Sequence, residues 1–236
     1  MHTSALINAK RFFDTYVTNT EPLTVVDIGA QDVNGSIKDV TPPHLRYIGV
    51  DFVKAKGVDV LLIDPYTLPF ENESVDIVVC SSCFEHSEMF WLLYLEILRI
   101  LRPKGLFYLN VPSNGHFHRY PVDCWRFYPD SGQALVNWAK RNSLNPLLLE
   151  SFVSDKIKGV WNDYIAVHLK DESMASIHKS RITEGINGFT NARINGTSEI
   201  TNFRGAPEDQ RNFLTSIQCR FWLWRERRAA RQLRKL

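Results

Sequence analysis

The chain has 236 residues, 44% of them apolar, 23% charged and 12% aromatic, which excludes a disordered, collagen-like or coiled-coil protein. Its four cysteines make no disulfide framework, no apolar run spans a bilayer, and Met1 to Asn8 lack the features of a secretory signal, so a soluble cytoplasmic protein is expected. The net charge of +2 is uneven: Arg220 to Leu236 carries +6 and the remainder −4, so a nucleic-acid or membrane reading falls on the tail alone.

Leu6, Phe12, Phe13, Tyr16 and Val17 stand at helical spacing and predict a helix over 5–18. Strands are expected at Leu23–Ile28, ended by Gly29, at Tyr47–Asp51, and at Val58–Ile63, ended by Asp64 and Pro65. Val75–Cys80 reads as a fourth strand and Leu106–Val111, ended by Pro112, as a fifth. Between these two, Phe90–Leu101 is a strongly apolar helix stopped by Arg102-Pro103-Lys104-Gly105. Ser131–Asn142 is a further helix. Leu147–Val153 and Trp161–Leu169 are two more strands, whose short link, Ser154–Gly159, permits an antiparallel hairpin but no parallel crossover.

Several strands are unbroken apolar runs, as parallel strands covered on both faces require, and they alternate with helices. The expected fold is α/β over residues 1–170: a Rossmann-like three-layer sandwich on a mostly parallel seven-stranded sheet with an antiparallel C-terminal hairpin. Residues 171–206, rich in Ser, Thr, Asn and Gly, read as a polar surface excursion. Residues 207–236 read as a basic helix, with Pro207 at its first position and Glu208 and Asp209 in its first turn.

Ligands of such sheets bind beyond the carboxyl ends of the strands, near the reversal of strand order. Gly29 closes the first strand and lets a ligand approach the backbone. Asp51 closes the second, 22 residues later, where an acid accepts hydrogen bonds from a ribose diol. A nicotinamide dinucleotide wants Gly-x-Gly-x-x-Gly to cradle its pyrophosphate. Here Gln31 and Asn34 hold the later glycine positions, and Asp32 would repel a phosphate. The loop better suits a nucleoside with a positive charge and a free amino group, a description that S-adenosylmethionine fits.

The motifs Val26-Asp27-Ile28-Gly29, Tyr47–Asp51, Asp64–Phe70, Ser74–Val78, Phe84-Glu85-His86 and Leu98–Gly105 follow one another over residues 24–112. In this order they resemble the class I S-adenosylmethionine-dependent methyltransferases, most nearly the broad family that includes the quinone-biosynthesis methyltransferases. The resemblance implies that Asp27 and Gly29, with Ala30 beside them, contact the amino-acid part of the cofactor. It places Asp51 on the ribose hydroxyls, Phe52 beside the adenine, Asp64 near the adenine amino group and Ser81 near the methionine end. Two positions depart from the family. Gln31 replaces a glycine, so the first loop needs a different path or a side-chain contact. Pro65 has no N–H to offer the adenine, so Tyr66 is expected to substitute by packing or through its own amide.

The densest chemistry follows the fifth strand, where His116, His118, Asp123, Arg126 and several aromatics share one loop. A hydroxyl that attacks a methyl group must lose its proton, and histidine titrates in the right range. His86 and His118 are the candidate bases. Asp123 is placed to orient one of them, and Arg126 to bind an anionic group or tie the loop to Glu85. The run Pro121–Pro129 is similar to one in bacterial methyltransferases of surface-polysaccharide assembly, which implies a sugar or glycan hydroxyl as the acceptor. The other readings are a quinone-like or other small-molecule methyltransferase, a NAD-dependent oxidoreductase and an inactive binding protein of the same fold.

Cys80 and Cys83 have zinc-pair spacing without a second pair nearby, so no metal ligand set is assigned. Asn72-Glu73-Ser74 and Asn195-Gly196-Thr197 match glycosylation acceptors, with no other sign of secretion. In the tail, Phe221, Trp222, Leu223 and Trp224 lie among arginines. They suit docking on the domain or on a partner, then a peripheral contact with the inner membrane surface, and least of all nucleic acid.

Overall fold

The unbroken apolar runs pair side by side. The computed structural model describes residues 2–156 and 161–205, together with Phe221 and Trp224. Its elements are α1 (Thr3–Tyr16), β1 (Thr24–Ile28), β2 (Arg46–Asp51), β3 (Val60–Leu61), β4 (Val75–Ser81), α2 (Phe90–Ile100), β5 (Leu101–Pro112), α3 (Ser131–Arg141), β6 (Leu147–Ser154), β7 (Asp163–Leu169) and β8 (Phe189–Ile194). The sheet order is β3-β2-β1-β4-β5-β7-β6-β8. Strands β3, β2, β1, β4 and β5 pair in parallel; β7, β6 and β8 join antiparallel. The Rossmann-like α/β fold with an antiparallel hairpin is therefore as expected, but the sheet has eight strands, not seven.

Neighbouring residues of a strand face opposite ways, so each run feeds two cores. Val25, Ile77 and Tyr108 pack with Phe12 and Phe13 of α1. Val26, Val78 and Phe107 pack with Leu93, Tyr94 and Ile97 of α2 and with Leu135 and Val136 of α3. With apolar side chains filling both layers, polar groups collect at the strand ends.

The eighth strand comes from the stretch read as a polar excursion. Residues 171–206 instead hold two 3-10 turns, Glu172–Ile177 and Ile182–Glu184, and β8, which pairs with β6. Scattered apolar residues such as Ile182, Phe189 and Ala192 reach the core, and polar anchors add to them. The buried Glu150 carboxylate accepts from Tyr16 Oη at 2.6 Å, from the Ile182 amide at 2.6 Å and from Thr183 Oγ1 at 3.0 Å. Arg181 Nε donates to the Leu149 carbonyl at 3.1 Å.

Three strands also have boundaries that move by two residues or more. Only Val60–Leu61 of the run Val58–Ile63 forms a strand, because the Asp59 carboxylate takes the Gly49 amide at 2.8 Å. The fifth strand begins at Leu101, not Leu106, since a residue before proline favours extended backbone and Pro103 cannot continue a helix. The seventh begins at Asp163 rather than Trp161. The chain divides into a unit of residues 1–203 and a second of 204–236. The expected C-terminal helix lies outside the described residues apart from Phe221 and Trp224, whose exposed rings stack with centroids 6.0 Å apart. No helix among the described residues is long and apolar enough to cross a membrane.

Two positions set the carboxyl ends of β1 and β2. A Cβ on Gly49 would lie 1.9 Å from the Gly57 carbonyl oxygen, so the loop after β2 folds back over a residue without a side chain. Gly49→Ala should cost about 2–3 kcal/mol in urea denaturation. An unchanged midpoint would mean that this loop gives way freely.

Asp27 in β1 is 2% exposed, and its carboxylate accepts a hydrogen bond from Tyr47 Oη. Burial pushes its carboxyl up to about 7, opposed by the Tyr47 bond and reinforced by the charge of Asp51. Between the ordinary value near 4 and about 7 the folded chain keeps a proton that the unfolded chain releases. Stability therefore falls as pH rises through that window. Asp27→Asn should match wild type near pH 4 and gain on it up to pH 8, by an amount on the order of 3–4 kcal/mol at most. A gain that does not grow with pH would refute this account of Asp27.

Candidate active site

Beyond the carboxyl ends of β1, β2 and β4 lies a cleft of about 960 Å³. Gly29 lines it with φ +82°, and a Cβ there would come within 2.8 Å of Cys83 Cβ. A glycine is required on both counts: the backbone angle disfavours a side chain, and the loop after β4 fills its place. Asp51 lines the same wall, 8% exposed, with its Oδ1 accepting the Val53 amide at 3.0 Å. Phe52 beside it is 51% exposed, an aromatic face offered to the cleft. Ser81 lines the floor, and its buried hydroxyl has no partner among the described residues.

These residues fit a nucleoside with a charged tail. An acid stands where ribose hydroxyls would donate, an exposed ring stands beside it, and an unpartnered hydroxyl waits deeper in. Gln31, in place of the family's glycine, makes a side-chain contact: Tyr120 Oη donates to its Oε1 at 2.9 Å, bridging the first loop to the loop after β5.

Other positions expected against the cofactor sit differently. Asp27 and Ala30 are buried and do not line the cleft. Asp27 is instead held by Tyr47, which fixes the β1 terminus from behind. Asp64 is exposed, and its carboxylate accepts the Tyr66 amide at 3.0 Å and Thr67 Oγ1 at 2.7 Å. Those bonds hold it below the usual carboxylate range. The Tyr66 amide is therefore taken, so of the two ways in which Tyr66 was to replace the missing Pro65 N–H only packing remains, and its ring does line the cleft. Asp32, expected to repel a phosphate, pairs with Lys56 and caps the Gly35 amide, which weakens that argument.

The far end of the cleft is built by the 3-10 turn Phe84–His86 and by the loop after β5. Backbone bonds join the two: the Glu85 carbonyl accepts the amides of Cys124 at 2.7 Å and Trp125 at 3.2 Å. His86 Nδ1 lies 2.5 Å from the Val122 carbonyl. A carbonyl only accepts, so the proton is on Nδ1 and the lone pair on Nε2. Burial holds the His86 imidazole below its ordinary value. His118 lines the cleft, its ring centroid 5.0 Å from that of His86 and 4.9 Å from that of Trp161.

Asp123 orients His118 through the backbone, accepting its amide at 2.7 Å, with Oδ2 3.4 Å from Nδ1. Among the described residues Arg126 makes no hydrogen bond to the Glu85 side chain, although its charge acts on that carboxyl. It donates to both Asp123 oxygens and, at 2.7 Å, to the His116 carbonyl. The guanidinium hydrogen bond holds the Asp123 carboxyl down at about 2. Neither residue lines the cleft, so both shape the loop from behind.

Three lining residues were not singled out as site residues. Glu85 is 1% exposed, and its Oε2 has no partner among the described residues. Burial pushes its carboxyl up to about 8. Asp163, at the start of β7, is 5% exposed, its Oδ2 has no partner among the described residues, and burial raises its carboxyl to about 6. His2 also lines the cleft, its ring 5.9 Å from that of Trp161. An acid beside Phe84 was the available signal for Glu85. Asp163 joins the cleft through its register opposite Pro112, and His2 through α1, neither of which one stretch of sequence displays.

Residues 17–109 match the methyltransferase domain family. An uncharacterized methyltransferase of Mycolicibacterium gilvum is 32% identical over 123 residues, covering 42% of this chain and 45% of that protein. The chain spans less than half the length of the curated relatives it matches. Among solved structures, the 1,6-didemethyltoxoflavin-N1-methyltransferase of Burkholderia thailandensis, with bound 1,6-didemethyltoxoflavin and S-adenosylhomocysteine, superposes with a TM-score of 0.54 at 16% identity. It covers 71% of this chain and 79% of that one. The [4+2]-cyclase SpnF superposes at 0.52 and 11% identity, covering 70% and 81%. At such identities the structures share the fold alone. Residues 17–109 are thus similar to a methyltransferase domain, and the sheet has the Rossmann-like fold of the superposed structures.

Proposed function

We propose that this chain is an S-adenosylmethionine-dependent O-methyltransferase acting on a hydroxyl of a sugar or a comparable small polar molecule. The observation that carries the reading is one cleft with two unlike ends. Gly29, Asp51, Phe52 and Ser81 form a nucleoside-binding end; Glu85, His86 and His118 form a polar end. Bound at the first end, S-adenosylmethionine supplies an electrophilic methyl whose carbon–sulfur bond breaks, its electron pair going to sulfur, as the acceptor oxygen bonds to the carbon.

The protein's own part is to bind, orient and accept a proton. Asp51 accepts from the ribose hydroxyls. The Tyr120–Gln31 bridge joins the loop after β5 to the first loop, which holds the two ends of the cleft in one arrangement; alignment of this kind contributes several kcal/mol to such reactions. The imidazoles at the second end receive the hydroxyl proton, His86 through the lone pair on Nε2. The aromatic faces of Tyr120 and Trp161 beside these polar groups support a sugar, whose C–H faces pack on rings while its hydroxyls bond to the rim. A quinone-like acceptor would use the rings and leave the buried acids idle.

Asp51→Ala should weaken S-adenosylhomocysteine binding about a hundredfold in calorimetry, because two charge-assisted hydrogen bonds are lost. Unchanged affinity would reject the ribose assignment. The activity itself is tested by mass spectrometry of sugars and glycans incubated with the protein and S-adenosylmethionine, where one added CH₂ on oxygen is the expected product.

A further inference from the structure

We propose that Glu85, His86 and His118 form a binding site for one divalent first-row transition-metal cation, set at the polar end of the cleft. One donor atom from each lies within 4.8 Å of the other two. The set is one carboxylate oxygen and two imidazole nitrogens. That mixture suits zinc, manganese, iron or cobalt, whereas magnesium and calcium prefer oxygen ligands.

Three features distinguish the cluster from an ordinary polar contact. The first is that its members do not satisfy one another. Glu85 Oε1 is 3.8 Å from His86 Nε2, beyond hydrogen-bond distance, and Oε2 has no partner among the described residues although the side chain is 1% exposed. The second is that His86 is already oriented as a ligand. Its Nδ1–H is given to the Val122 carbonyl, which leaves Nε2 unprotonated on the side toward Glu85; this is the outer-shell arrangement of metal-bound histidines. The third is that no Lys or Arg among the described residues forms an ion pair with Glu85, although the Arg126 charge acts on it. Arg126 is bound through two nitrogens to Asp123.

Metal–ligand bonds of about 2.0–2.1 Å put tetrahedral donors about 3.3 Å apart, so the cluster closes on an ion by small side-chain rotations. All three residues line the cleft, and three protein ligands leave at least one coordination position for an acceptor oxygen. The consequence for the reaction rests on the methyltransferase reading above. With the ion bound, the imidazoles act as ligands instead of bases. The hydroxyl ionises on the metal: its O–H bond breaks, the electron pair stays on oxygen and the proton passes to solvent water.

The test uses the full chain, stripped with a chelator and titrated with Zn²⁺, Mn²⁺ or Co²⁺ in a calorimeter. Cobalt absorption serves as a second readout of nitrogen and oxygen coordination. One ion per chain is expected. Glu85→Gln and His118→Gln should each lose about a hundredfold or more in metal affinity, while S-adenosylhomocysteine binds as in wild type. If Glu85→Gln fails to fold, as judged by circular dichroism, His118→Gln still decides. No stoichiometric ion in wild type, or equal affinity in all variants, overturns the site. Methyl transfer that survives complete metal removal overturns its role and leaves the methyltransferase reading standing. Failure of wild type to bind S-adenosylhomocysteine would reject that reading instead, without touching the ion count.

Discussion

A parallel sheet covered on both faces has one place for its charged groups, the ends of its strands. In this chain the constraint is met at the edge where β1, β2 and β4 stop, and the cost of meeting it is visible in the carboxylates. Asp27, Glu85 and Asp163 are each 5% exposed or less, and burial raises all three above the ordinary carboxylate range. Such groups persist where something binds to repay their desolvation or where they carry chemistry. Two of the three line the cleft; Asp27 stands behind it and holds Tyr47.

The loop after β5 is the other half of the site, and its position depends on bonds that run across the chain. The Glu85 carbonyl holds it through two amides, His86 through the Val122 carbonyl, and Gln31 through Tyr120. Asp123 and Arg126 brace it internally. A loop fastened at so many points presents His118 from a fixed direction. This is what a group that must meet a reacting oxygen needs, and what a free surface loop does not provide.

The parallel half of the fold was legible because apolar runs, glycine stops and proline stops report on neighbouring residues. Gly29, Asp51, Phe52 and Ser81 were legible as cleft residues for the same reason: each follows directly from a strand end. The rest depended on contacts distant in sequence. Strand β8 was missed because its apolar residues are few and its place is set by pairing with β6, while the turn before it is held by the buried polar Glu150 and Arg181. Asp64 looked like a ligand until Thr67 and the Tyr66 amide took its oxygens. Arg126 was expected either to bind an anionic group or to tie the loop to Glu85, whereas it pairs with Asp123, three residues away.

Charge narrows what the cleft accepts. Its walls carry Asp51, Glu85 and Asp163. Arg119 lines it as well, its Nε donating to the Pro121 carbonyl, while Arg126 behind the cleft pairs with Asp123 and Lys56 with Asp32. Acidic residues outnumber guanidinium groups on this lining, a balance whose field disfavours a pyrophosphate. A ligand with a sulfonium and an ammonium group, or a divalent ion, would relieve the same field. Burial is the chief cause of the raised Glu85 carboxyl, and a cation bound beside it would favour its ionised form.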